Sequence, residues 1–130
     1  MLLRIARPTE DLERIAAMYA AGLGMRELGR FHDHGGFDGI MVGAPDGPYH
    51  LEFTREHGAP SPPRTTPEHL LVFYVADRAA WESRCAAMER SGFTPVASHN
   101  PYWESHGRTY EDPEGYRIVI QNAAWPAMRE

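Results

Sequence analysis

The alternation of apolar and polar side chains changes period several times along the chain, and each change predicts an element. Residues 2–6, Leu-Leu-Arg-Ile-Ala, read as a short strand ending at Pro8, whose ring removes a backbone donor. From Leu12 the apolar positions recur at Leu12, Ile15, Tyr19 and Leu23, a helical spacing with Glu13 and Arg14 facing out. Thr9 or Asp11 is placed to cap this helix, and Gly22 and Gly24 end it. Three strands are predicted next, Arg26–Phe31, Phe37–Val42 and Tyr49–Thr54, separated by the turn-rich stretches His32–Gly36 and Gly43–Pro48. Residues 55–67 carry four prolines and no apolar period, which reads as a stiff linker.

After the linker the order repeats. His69–Ala76 is rich in strand formers, and Asp77 is placed to cap a helix with the buried stripe Trp81, Cys85 and Met88, stopped by Gly92. Short strands follow at Phe93–Val96, Arg108–Glu111 and Tyr116–Gln121, the last two joined by Asp112-Pro113-Glu114-Gly115, a sequence that favours a type I turn. Asp11 and Asp77 lie 66 residues apart, and Gly24 and Gly92 lie 68 apart. A β-α-β-β-β unit is therefore expected twice, as module one (about 2–54) and module two (about 68–122) of a single domain spanning 1–130. Each unit alone would leave a sheet face bare, so the pair predicts an α+β architecture with a pseudo-twofold.

Composition narrows the chemistry. All thirteen cationic side chains are Arg, so Schiff-base catalysis, a lysine-anchored pyridoxal group and a P-loop are excluded. Cys85 is the single cysteine, which excludes an internal disulfide, a CxxC redox pair and a thiolate-rich zinc site. A net charge of −5, spread evenly over both halves, argues against nucleic acid or an anionic membrane as partner. No apolar run approaches the ~18 residues of a membrane span, and no signal-peptide core is visible, so the expected compartment is cytoplasmic.

Several stretches resemble the vicinal-oxygen-chelate superfamily, which includes glyoxalase I, extradiol dioxygenases, and fosfomycin-modifying and bleomycin-binding proteins. They are Ile5-Ala6-Arg7-Pro8 leading to Asp11-Leu12, Met18-Tyr19, Gly22-Leu23-Gly24-Met25, Leu51-Glu52-Phe53, the run Leu70–Asp77, and Tyr110-Glu111-Asp112-Pro113-Glu114-Gly115-Tyr116. His50-Leu51-Glu52-Phe53-Thr54 and Asn100-Pro101-Tyr102-Trp103 resemble a bacterial branch of it. The resemblance implies two tandem βαβββ modules forming a curled eight-stranded mixed sheet with helices on its outer face. It also implies frequent homodimers and a ligand held in the cup.

Enzymes of that superfamily chelate a substrate's adjacent oxygens on a divalent cation. Carried onto this chain, the ligand positions fall on Arg4, Glu52, Leu70 and Val119, of which Glu52 alone can bind a metal. The expectation is therefore a small-molecule-binding protein without a catalytic metal, holding an anionic or aromatic ligand. The alternative is a lyase, isomerase or dioxygenase using Zn, Ni, Mn or Fe at an unorthodox site around Glu52 and His50, completed by His69 or by a loop histidine, His32 or His34. His57, His99 and His106 read as solvated loop residues. Strand parity points Arg4, His50, Glu52, Tyr74 and Arg117 to one side, with an Arg4–Glu52 bridge replacing the cation, and Arg4 or Arg117 presenting a guanidinium to an anion. Tyr102 and Trp103 complete the predicted pocket as aromatic walls, with Phe37 a further candidate. A third expectation is a protein-contact module using the sheet edges and the Trp125-Pro126 tail.

Overall fold

A computed structural model describes residues 1–60 and 65–125; Pro62 and Pro63 of the expected linker, and Pro126 of the tail, lie outside them. The chain divides into two compact units, Met1–Pro63 and Arg64–Glu130. The first contains β1 (Leu3–Pro8), α1 (Leu12–Leu23), β2 (Arg26–His34), β3 (Phe37–Gly43) and β4 (Tyr49–Glu56). The second contains β5 (Leu70–Tyr74), α2 (Arg78–Arg90), β6 (Thr94–Val96), a turn of 3₁₀ helix at Pro101–Glu104, β7 (Gly107–Glu111) and β8 (Arg117–Gln121). This is the α+β fold of two βαβββ modules.

The eight strands hydrogen-bond as two mixed sheets of four, ordered β1-β4-β3-β2 and β5-β8-β7-β6, and neither closes on itself. Each ladder is completed within its own module, because the crossover through the helix lays β1 parallel to β4 and β5 parallel to β8. No helix among the described residues is long and apolar enough to cross a membrane.

Local chemistry explains the helices. Gly24 ends α1 in the left-handed region at φ 67°, with its N–H on the Ala20 carbonyl. Asp77 caps α2 by accepting the Ala80 N–H at 2.8 Å. At α1 the expected cap differs: Asp11 occupies the cap position without a side-chain cap bond, and the buried Thr9 hydroxyl instead accepts the Asp11 N–H at 3.1 Å. The core of the first unit is Ile15, Met18 and Tyr19 against Ile40, Val42, Leu51 and Phe53. In the second, Trp81, Cys85 and Met88 form the predicted helical stripe, buried with Tyr110, Ile118 and Ile120.

In the first unit three strand ends lie two or three residues beyond expectation. Pro8 stays in β1, an edge strand paired on one side, where a missing donor breaks no central ladder. β2 runs on through His34, so the predicted His32–Gly36 turn shrinks to Gly35-Gly36, both with positive φ (61° and 87°) as a tight hairpin requires. β4 continues to Glu56 by pairing Arg55 and Glu56 with Asp38 and Phe37, so Arg55 and Glu56 belong to the sheet and not to the linker.

Candidate functional site

Three predicted residues converge in the first unit. The parallel register sets Arg4 opposite His50 and Ala6 opposite Glu52, and side chains two apart on a strand share a face. Arg4 Nε donates to His50 Nε2 at 2.8 Å, and an Arg4 terminal nitrogen reaches Glu52 Oε2 at 3.3 Å. Accepting at Nε2 places the His50 proton on Nδ1. Gly43, opposite His50, makes the close packing possible, since a Cβ there would meet His50 Cβ at 2.9 Å. The Arg4 side chain remains half exposed while Glu52 is only 13% exposed.

In the second unit Asn100 caps the 3₁₀ turn by accepting the Tyr102 N–H at 3.0 Å. This turn presents Trp103 to a cavity of about 100 Å³ lined also by Leu70, Ser98, His99, Asn100 and Thr109. Its wall carries a hydrogen-bond chain: the buried Thr109 hydroxyl meets Ser98 Oγ at 2.6 Å, and Ser98 donates its hydroxyl (2.7 Å) and its N–H (3.2 Å) to Glu104. The Ser98 hydroxyl, then its amide, holds the Glu104 carboxyl below the usual carboxylate range. On β8, Gln121 Oε1 is buried without a hydrogen-bond partner among the described residues.

The remaining predicted residues lie elsewhere. Tyr102 is exposed and stands edge-on against Trp103 at 4.9 Å. Tyr74 packs on the Trp125 ring at 5.5 Å. Arg117 is engaged by its own unit: Nε donates to Glu111 at 3.0 Å and a terminal nitrogen to the Ala97 carbonyl at 3.2 Å. His69 sits before β5 with Nδ1 against the Thr65 hydroxyl at 3.2 Å. Phe37 is partly exposed beside the β2–β3 turn.

A divalent cation at the superfamily's position does not fit this donor set. Of the positions that the resemblance assigns to the ion, Glu52 already faces the Arg4 guanidinium, and Leu70 and Val119 offer no lone pair. Among the described residues, the cluster of three or more His, Cys or carboxylate groups able to hold an ion is a different one: His32, Asp38 and His57. The sequence did not single out Asp38; His57, expected as a solvated loop residue, is exposed just after β4 and bonds to Asp38. His32 Nδ1 and His57 Nε2 each lie 2.8 Å from Asp38 Oδ1, which also accepts the Asp33 N–H at 2.9 Å. That backbone donor, then the His57 ring, holds the Asp38 carboxyl below its usual range. The two-residue Gly35-Gly36 turn was the available signal, since a tight turn there sets residues 32 and 33 beside residue 38.

Paired βαβββ modules with this strand order are the fold of glyoxalase and fosfomycin resistance proteins. The trypanothione-dependent glyoxalase I of Leishmania major shares the fold (TM-score 0.71, 20% identity, 95% of this chain and 86% of that one). So does the fosfomycin resistance protein FosX of Mesorhizobium loti (TM-score 0.72, 12% identity, 96% and 93% covered). More narrowly, residues 3–54 match the YycE-like N-terminal domain family and residues 68–122 the YycE-like C-terminal domain family. The YycE protein of Bacillus subtilis strain 168 is 43% identical over 121 residues, covering 93% of this chain and 87% of that protein. A crystal structure of the Bacillus subtilis protein, described as of unknown function and a candidate glyoxalase/fosfomycin resistance protein, superposes with a TM-score of 0.88 at 41% identity over 98% of this chain and 93% of that one. The chain belongs to the YycE-like family.

Proposed function

We propose that this chain is a small-molecule-binding protein that holds a small anionic or aromatic ligand without a divalent cation at the superfamily's metal position. The observation that carries the reading is the Arg4 guanidinium bonded to both His50 and Glu52. It gives the one carboxylate at those positions an internal counter-charge. A guanidinium has five N–H donors in a planar fork; two are used on His50 and Glu52, and the half-exposed remainder suits a carboxylate or phosphate. Trp103 on its cavity supports an aromatic or apolar moiety. The fold relatives named above act on, or confer resistance to, small molecules, which agrees with this class. Arg4, His50, Glu52 and Trp103 are the residues assigned to binding, with Tyr102 supporting Trp103 and with Tyr74 and Arg117 as outlying candidates. Assembly as a homodimer in the cytoplasm belongs to the same reading.

The test is a thermal-shift screen of small carboxylates, phosphates and aromatic acids against the purified protein. A hit that stabilises the parent protein is expected to lose its effect in Arg4→Gln or Trp103→Ala, each with an unchanged circular dichroism spectrum. Retained stabilisation in both variants would remove these residues from the site. Stoichiometric metal lost from a Glu52→Gln/His50→Gln double variant would instead favour the metal-dependent lyase, isomerase or dioxygenase.

A further inference from the structure

On the face of the first sheet that packs against α1, and so opposite to Glu52, β2, β3 and the residue that follows β4 bring His32, Asp38 and His57 to one point. Asp38 shares its face with the buried Ile40 and Val42, whereas Glu52 pairs with Met41 on the other. We propose that His32, Asp38 and His57 form a binding site for a divalent transition-metal ion of zinc's class, with two imidazole nitrogens, one carboxylate oxygen and an open fourth position.

The donor set suits such an ion. Zinc takes imidazole nitrogen and carboxylate oxygen at bond lengths that put tetrahedral ligand atoms roughly 3.3 Å apart. The three candidate atoms all lie within 4.8 Å of one another, and both imidazole contacts to Asp38 Oδ1 are 2.8 Å. Replacing the shared protons with an ion requires the nitrogen–oxygen separations to open by only about half an ångström. The two rings stand 5.6 Å apart between centroids. Two neutral imidazoles and one carboxylate leave the ion with net positive charge, so water or an anionic oxygen takes the fourth position. His32 and Asp38 also line a cavity of about 300 Å³, with Phe31, Arg30 and Ile40 among its walls, which gives that fourth position a place to open.

The backbone builds the cluster rather than merely tolerating it. Phe31 pairs with Gly39 and His34 with Phe37, so His32 and Asp33 together face the single residue Asp38. This is a β-bulge, a device that re-aims side chains at sites. Asp33 is the only described non-glycine residue with positive φ, 49°. His57 is fixed from the other side, its N–H donating to the Gly36 carbonyl at 2.8 Å. Behind it stands an outer carboxylate: His57 Nε2 points to Asp38, while its Nδ1 lies 3.6 Å from Asp33 Oδ1. An imidazole that ligates through one nitrogen and faces a carboxylate with the other is the usual support of a metal-bound histidine. Asp33 is thus assigned as a positioning residue.

The test titrates the untagged full-length protein at neutral pH with Zn²⁺ by calorimetry and with Co²⁺ by visible absorption. The expected result is one equivalent bound, with Co²⁺ bands of a four-coordinate nitrogen/oxygen site. His32→Gln, whose parent side chain is 82% exposed and does not support folding, and His57→Gln are each expected to weaken binding at least tenfold. Asp33→Asn weakens it by about tenfold with unchanged stoichiometry and Co²⁺ band positions, as expected for loss of an outer partner. The Glu52→Gln/His50→Gln variant is expected to bind as the parent does, which keeps this site separable from the proposal above. Absence of saturable binding, affinity unchanged within twofold in both histidine variants, or binding lost in the Glu52 variant would each overturn the assignment.

Discussion

Trp81→Phe tests whether the second module rests on one anchored side chain. α2 is mostly polar, and Trp81, Cys85 and Met88 are its buried residues. Trp81 is 6% exposed, and its indole N–H donates to the Ile120 carbonyl on β8 at 2.8 Å. The guanidinium groups of Arg78 and Arg108 lie 5.0 and 4.8 Å from its ring centre. Phenylalanine keeps an aromatic ring but removes the indole's hydrogen bond to the Ile120 carbonyl, at about 1.5 kcal/mol. The smaller ring forfeits roughly 40 Å² of apolar burial, about 1 kcal/mol. Its weaker attraction for the two cations removes about another 0.5 kcal/mol. The expected loss is about 3 kcal/mol, or a midpoint lowered by about 10 °C for a domain of this size. Urea denaturation followed by far-ultraviolet circular dichroism measures it, and Trp103 and Trp125 remain as fluorescent reporters. A loss below about 1 kcal/mol would refute the reasoning, because the indole bond, the extra ring area and the two cations would then contribute almost nothing to holding α2 on β8.

Burial, with hydrogen bonds to Cys85 and Glu89, raises the Tyr110 phenol well above its ordinary value. The folded state keeps this proton where the unfolded chain loses it, so the contribution is whole below about pH 10 and fades as pH rises further. Denaturation midpoints are expected to fall between pH 9 and 11 in the parent and less steeply in Tyr110→Phe; equal slopes would remove Tyr110 as the source. The buried Asp112 accepts the Glu114 and Tyr116 N–H groups at 2.8 and 3.1 Å, so Asp112→Ala is expected to lower unfolding free energy by about 1–3 kcal/mol. Asp112→Asn keeps an acceptor and should recover most of that loss in the same urea titration. Gly39→Ala sends a Cβ into the Phe31 ring, which must swing aside; a loss of about 1–2 kcal/mol is expected, with no loss arguing that the ring is already displaced.

Regular spacing made the elements readable. The Trp81, Cys85, Met88 stripe and the Asp112–Gly115 turn need only neighbours in sequence, and both stand in the structure where periodicity and turn chemistry put them. Parity likewise put Arg4, His50 and Glu52 on one face, because a parallel ladder fixes which side chains meet. Long-range register was not readable. Nothing local says that β2 bulges opposite Asp38 or that β4 extends far enough to bring His57 to the hairpin. Arg117 falls between these cases: the Asp112–Gly115 turn closes a hairpin that sets Glu111 opposite Arg117, and the two pair with each other.

The duplicated register also shows which of the superfamily's donor positions carry no metal-binding side chain. Arg4 pairs with His50 in the first module, and Leu70 pairs with Arg117 at the corresponding place in the second. Two residues further along the last strand, Glu52 corresponds to Val119. The first module keeps one carboxylate and neutralises it with Arg4; the second replaces the corresponding residues with Leu70 and a fully buried Val119. A cation at Glu52 would thus need its counter-charge removed and further donors supplied beside it. Arg4→Gln supplies only the first of these. It is expected to weaken the binding of an anionic ligand while adding no Zn²⁺ affinity at Glu52 beyond what His32→Gln alone retains, measured in a His32→Gln background that weakens the hairpin cluster. Tight Zn²⁺ binding in that double variant would show that the guanidinium, and not the missing donors, keeps the ion away.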